Sequence, residues 1–151
     1  MAAIAAQKIS PCLWFDGQAL EAAEFYCSLF EGSRIVSANP IMVVFELAGQ
    51  RFQGLNGGPQ FTFNEAISLS VSCADQAEVD RFWNALTANG GTESQCAWLK
   101  DKYGLSWQIV PTALVDYLGD PDPGRRERAT EAMLKMKKIV LADLAAAADA
   151  A

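Results

Sequence analysis

Apolar and polar side chains alternate with a period of two over residues 9–16. Leu13 and Phe15 lie on one face and Ser10, Cys12 and Trp14 on the other, the pattern of a half-buried strand. Ala22, Phe25, Tyr26 and Leu29 then fall at i, i+3, i+4 and i+7, which predicts an amphipathic helix closed by Gly32. Strand-like stretches at 34–38, 42–47 and 49–56 complete a strand, helix, strand, strand, strand order. The same order recurs when the chain is shifted by 55 to 57 residues. Residues 65–73 form the second leading strand, with Leu69 and Val71 answering to Leu13 and Phe15, and with Ala66, Ser68 and Ser70 answering to Ser10, Cys12 and Trp14. Val79, Phe82, Trp83 and Leu86 repeat the helical stripe, and Gly90 with Gly91 ends it. Stretches 92–97, 98–102 and 104–111 follow, the last matching 49–56 in its Gly, aromatic, Gln pattern through Phe52 with Trp107 and Gln53 with Gln108.

The chain therefore reads as an α+β protein of two tandem βαβββ modules plus a C-terminal helix. A loop at Asn56, Gly57, Gly58 and Pro59 joins the halves. The expected divisions are an N-terminal tail at 1–8, a first module at 9–62, a second at 63–111 and a helical extension at 112–151, all in one domain. In the extension Asp122 is positioned to cap a helix whose first turn holds Pro123. Ala129, Ala132, Met133 and Met136 give that helix an apolar stripe read as packing, and residues 141–151 are alanine-rich without a clear period. One helix covers one face of four strands, so the opposite face calls for a partner, either the sister module or a second chain in a homodimer.

Length and charge narrow the functional classes. At 151 residues, 51% of them hydrophobic, the chain is long enough for a self-sufficient core. A net charge of −6 disfavours phosphate backbones, so no nucleic-acid partner is expected. No apolar run approaches the roughly 18 residues of a membrane span, and no signal segment is evident, so a cytoplasmic location is expected. The four cysteines, at positions 12, 27, 73 and 96, have no metal-type spacing and are expected as buried thiols. There is no histidine, which removes the usual partner of a serine or cysteine nucleophile.

Five segments carry a family resemblance: PCLWFDGQALEAAEFY from Pro11, LNGGPQFTFNEAISL from Leu55, SCADQAEVDRFW from Ser72, CAWLKDKYGLSWQIVP from Cys96 and AMLKMKKI from Ala132. With them the chain resembles the vicinal-oxygen-chelate superfamily of glyoxalases, bleomycin-resistance proteins and extradiol dioxygenases. Within it the likeness is to the PhnB-like branch, often labelled 3-demethylubiquinone 3-methyltransferase. The resemblance implies a metal site with one ligand from the first and one from the last strand of each module. Carried over, those positions fall on Ser10, Gln53, Ala66 and Gln108, none of them a histidine or carboxylate. Such neutral donors are a poor match for any divalent ion, so no metal and no other cofactor is expected.

Strand alternation places Ser10, Cys12, Trp14, Gln53, Ser68, Ser70, Ser106 and Gln108, with Ala66, on the inward faces. That set is expected to bind a small organic molecule in a cavity between modules, through amides, hydroxyls and the flat face of Trp14. An enzyme is the alternative, a metal-independent lyase or isomerase drawing on Glu65 or Asp101, with Lys100 and Lys102 nearby and Phe63 and Trp98 to desolvate a carboxylate. Methyl transfer would call for a glycine-rich βα turn, which the double glycines at 57 and 90 do not supply. A purely structural, dimeric interaction role is the third reading.

Overall fold

The structure is a computed structural model that describes residues 7–150. It divides into two compact units, Met1–Phe63 and Asn64–Ala151. The first unit runs β1 (Cys12–Phe15), α1 (Ala19–Leu29), β2 (Arg34–Ala38), β3 (Met42–Leu47) and β4 (Gln50–Asn56). Its sheet has the order β1-β4-β3-β2, with β1 parallel to β4 and the other pairs antiparallel. Ala48 and Gly49 form the two-residue turn between β3 and β4 at φ 48° and 88°, the mirror-image geometry that suits the twist of a hairpin.

Helix α1 buries Ala19, Ala22, Ala23 and Tyr26 against the sheet face that carries Leu13, Phe15, Val43, Phe45 and Phe52. Small side chains on the helix let it lie close, and Phe45 stacks on Phe52 at 5.5 Å. The helix has no side-chain cap of its own from Gln18. Instead Asn56 Oδ1, at the end of β4, accepts the Ala19 N–H at 2.9 Å, so the sheet itself closes the helix start.

The second unit repeats the plan with β5 (Ser68–Cys73), α2 (Gln76–Thr87), β6 (Thr92–Glu93), β7 (Trp98–Lys100) and β8 (Ser106–Pro111), in the sheet order β5-β8-β7-β6. Asp75 caps α2 by accepting the Glu78 N–H at 2.9 Å. The predicted stripe of Val79, Phe82, Trp83 and Leu86 is fully buried against Leu99, Trp107 and Ile109, each such side chain contributing about 1.5–3 kcal/mol. Trp83 and Trp107 are core residues, as their positions in the pattern imply.

Several strands are shorter than their patterns, β7 and β8 by two residues each and β1, β5 and β6 by more. Residues 9–11 precede β1, and Ile9 is 83% exposed. There the Gln7 amide takes over the pairing, donating to Arg51 O and accepting from Arg51 N. Asn64 Oδ1 accepts from Ala66 N and turns the chain before β5 can start, which leaves Glu65 and Ala66 outside the strand. Strand β6 stops at Glu93 because Cys96 and Ala97 adopt φ of 54° and 78°, incompatible with a strand.

The extension holds three helices rather than one: α3 (Thr112–Leu118), α4 (Pro123–Leu134) and α5 (Leu141–Asp149). Asp122 caps α4 and Pro123 opens it, as predicted. Alanine has the highest helix propensity, and Leu144 and Ala148 of α5 are buried one turn apart, so the run without a clear period is a helix after all. Ala97, Leu114, Ile139 and Leu144 make a second core, against which Ala132, Met133 and Met136 pack. The methionine stripe therefore packs within the chain.

Candidate functional site

Each sheet has one face under its helix and one turned away from it, and the pairing register fixes which residues share the second face. In the first unit Cys12 stands opposite Gln53 and Trp14 opposite Leu55, with Val44 on the far side of Gln53. Ser10 lies just ahead of β1 and meets the Gln7 amide at 3.3 Å. Trp14 is already engaged. Its indole donates to Gly58 O at 2.8 Å, its ring meets Phe61 edge-on at 4.9 Å, and a Cβ on Gly57 would fall within 2.3 Å of it. The close pass of Gly57 under the indole requires glycine there.

The same face of the first sheet carries a cluster that the strand pattern did not single out. Glu46 is only 3% exposed and is clamped by Arg51 Nη2 at 3.0 Å and Arg34 Nε at 3.2 Å. The two guanidinium groups hold its carboxyl below the usual glutamate range. A charged residue in the apolar run MVVFEL of β3, flanked in register by two arginines, was the available signal.

In the second unit Ser68 stands opposite Ser106, Ser70 opposite Gln108, Lys100 opposite Ser106 and Trp98 opposite Gln108. These six residues form one continuous patch on the face away from α2. Gln108 Nε2 donates to Ser68 Oγ at 2.9 Å. Lys100 Nζ reaches forward to Glu65 in an ion pair. Ser106 is fully buried, and its hydroxyl has no hydrogen-bond partner among the described residues. A buried hydroxyl forgoes water at a real free-energy cost, so this orphan stands out in a row of hydrogen-bonding groups.

The register also corrects the correspondence between the halves. Cys12 pairs with Gln53 as Ser70 pairs with Gln108, so Leu13 and Phe15 answer to Val71 and Cys73, two residues further along than the sequence pattern indicated. The partner of Ser10 is then Ser68, not Ala66, which sits in the turn ahead of β5. The residues at the family's ligand positions become Ser10 and Gln53 in one unit and Ser68 and Gln108 in the other. They do not fit a divalent ion: all are neutral, and the Gln108 amide and Ser68 hydroxyl are spent on each other. Among the described residues no group of three or more Cys, Asp or Glu side chains is placed to hold a metal.

Glu65 and Asp101 both have partners in the structure. Glu65 is exposed, and the Lys100 ammonium holds its carboxyl below the ordinary value, the opposite of what a base working near neutrality needs. The Phe63 ring packs edge-on against Phe15 at 5.4 Å within the first unit. Asp101 lies in the turn after β7 but is 2% exposed and not a solvated turn charge. Its Oδ1 accepts from Tyr103 N at 2.9 Å and Leu105 N at 3.0 Å, and its Oδ2 from Trp107 Nε1 at 2.9 Å, on the core side of the sheet. Lys102 lies over the Tyr103 ring in the same turn.

The thiols were expected to be buried, and only one is fully so. Cys73 lies under α2, where burial and the Glu78 carboxylate push its thiol up to about 11. Cys27 and Cys96 are half-buried and Cys12 is exposed, because β1 is an edge strand and Cys12 points away from the helix.

The model of the family described as 3-demethylubiquinone-9 3-methyltransferase matches residues 7–110. The PhnB protein of Bacillus cereus is 35% identical over 70% of this chain and 100% of its own, with a TM-score of 0.64. A protein of Pseudomonas aeruginosa matches at 20% identity over 70% of this chain and 98% of its own, with a TM-score of 0.56. A glyoxalase/bleomycin resistance protein of Albidiferax ferrireducens matches at 21% identity over 70% and 98%, with a TM-score of 0.51, and so shares the fold. Among curated proteins nothing matches the chain.

Proposed function

The chain belongs to the PhnB-like branch of the vicinal-oxygen-chelate superfamily, the family described as 3-demethylubiquinone-9 3-methyltransferase, and on that premise we propose that it binds a small organic molecule without a metal. The binding surface is the helix-free face of the second sheet, around Ser68, Ser70, Trp98, Lys100, Ser106 and Gln108. One observation carries this reading: the buried Ser106 hydroxyl without a partner, set in line with Lys100 and Gln108. A ligand carbonyl or hydroxyl would complete it. Trp98 offers an apolar flank, and Lys100 favours a ligand with an electron-rich or anionic end. On the first sheet Gln53, Cys12 and Ser10 offer a similar, smaller set of polar groups.

The protein is further proposed to act in the cytoplasm as a homodimer. Among the described residues no helix is long and apolar enough to cross a membrane. Methyl transfer, the activity in the family's description, finds no support in the βα turns. The turn after β1 holds the single Gly17 and the turn after β5 has no glycine, so neither resembles the glycine-rich loop that cradles a nucleotide-like methyl donor. Recognition without chemistry, as in sequestration or sensing, agrees better with a carboxylate set already committed to ion pairs and turns.

A thermal-shift screen of aromatic and amphipathic carbonyl compounds, run in chelator, tests the proposal. Compounds that raise the melting temperature of the wild type should lose that effect in Ser106→Ala and Gln108→Ala. Stabilisation that depends on added divalent ion, or that survives both substitutions, would overturn it.

A further inference from the structure

The second unit continues through an extension that lies beyond the segment matched by the family, and the path of that extension across the unit is specific. After α4 the chain runs from Lys135 to Val140 alongside the loop between β6 and β7. Met136 O accepts from Cys96 N at 2.8 Å and Lys137 O from Ala97 N at 2.9 Å. Ile139 O then accepts from the Gln76 side-chain amide at 2.9 Å, and the same amide's oxygen accepts from Leu141 N at 2.8 Å. Lys138 adds an ion pair to Asp80 at 2.9 Å. Ile139 and Ala97 are both buried, in one core with Leu114 and Leu144.

What this segment grips is a strained piece of backbone. Cys96 and Ala97 are consecutive non-glycine residues in the left-handed region, a conformation that persists only where the surroundings enforce it. Their amide hydrogens are the ones the extension accepts. Trp98 follows immediately and stands in register with Gln108, and Lys100 stands in register with Ser106. Loop and strand are further tied by Ser94 N to Trp98 O and by Ile109 N to Ala97 O, both at 2.9 Å. A change at Cys96 and Ala97 therefore has a short, hydrogen-bonded path to the proposed binding patch.

We propose that residues 135–141 are a strap that holds the 94–97 loop in its left-handed conformation and thereby positions Trp98 and Lys100 for the ligand. Its functional half rests on the binding reading given above, whereas its structural half does not. The anchor is Gln76, whose side chain spans the strap as a backbone strand would. Releasing the strap lets Cys96 and Ala97 relax and moves Trp98 away from Gln108.

The experiment is residue-resolved hydrogen exchange on the full chain and its Gln76→Ala variant, followed by titration with whichever carbonyl compound the screen identifies. The strap predicts that exchange at Cys96 and Ala97 rises roughly tenfold, the loss of two hydrogen bonds. The core amide of Trp107, and those of β3 and β4, stay at wild-type rates. Lys138→Ala, which removes one surface ion pair, raises the same two amides by a smaller factor and guards against a Gln76 variant that fails to fold. Unchanged exchange at Cys96 and Ala97 in both variants would overturn the strap whatever the ligand does. Faster exchange with ligand affinity unchanged would leave the clamp in place and overturn its role in positioning. If no compound binds the wild type, the binding reading fails and the exchange arm still decides the clamp.

Discussion

Replacing Asp101 separates a structural carboxylate from a catalytic one. Its two oxygens serve the main-chain N–H of Leu105 and the indole N–H of Trp107, residues 0% and 1% exposed, as well as the half-exposed Tyr103 N–H. In Asp101→Ala water can reach the Tyr103 donor but not the other two. Each buried donor left without an acceptor costs about 1–3 kcal/mol, so a loss of about 4 kcal/mol is expected. For a chain of this length that lowers the melting temperature by roughly 8–16 °C. Asp101→Asn keeps an acceptor for the main chain but turns an amide N–H₂ towards the indole, and should lose about 2 kcal/mol. Thermal unfolding followed by circular dichroism, with tryptophan emission as a second probe, reads both. An Asp101→Ala protein melting within about 2 °C of the wild type would refute the reasoning, and an acid–base role is the reading that such a result would revive.

Four further outcomes follow from other groups. Ser106→Ala removes a buried hydroxyl that no described residue satisfies, so the ligand-free protein should melt at the same temperature or be stabilised by about 1 kcal/mol, as differential scanning calorimetry can check. Glu46 is held below its ordinary value of 4.5 by Arg51 and Arg34, so its stabilisation is complete above that pH and is lost as pH falls through the lowered value. Acid unfolding of Glu46→Gln should accordingly show a shallower loss of stability below about pH 4.5 than the wild type, although its stability at neutral pH is lower. Gly57→Ala drives a methyl into the Trp14 ring, breaking its bond to Gly58 O and costing about 1–3 kcal/mol in urea unfolding. In alkylation at pH 8 Cys12 should be modified first and Cys73, buried and raised to about 11, only after unfolding, which peptide mass mapping will order.

The duplicated plan was legible because periodicity records burial directly: alternation on strands and the three-four spacing on α1 and α2 each reflect one covered face. Their end points were not. Asn64 ends the approach to β5 through a local side-chain turn, and Cys96 and Ala97 end β6 through contacts with residues forty positions away, which no window of sequence contains. The shift of two residues between the leading strands hid for the same reason, since Ser68 and Ala66 are both small and only the hydrogen-bond register distinguishes them. Of the site, the serines and glutamines followed from alternation. The burial of Asp101 and Glu46 depends on which neighbours donate to them, and that is a property of the turn and the sheet, not of the pattern.

Binding at the second sheet can be tested most directly by amide chemical-shift mapping, titrating a stabilising compound into labelled protein in chelator. The account predicts shifts clustered at Ser68, Ser70, Trp98, Lys100, Ser106 and Gln108. Shifts confined to other surfaces, or appearing only after a divalent ion is added, would contradict it.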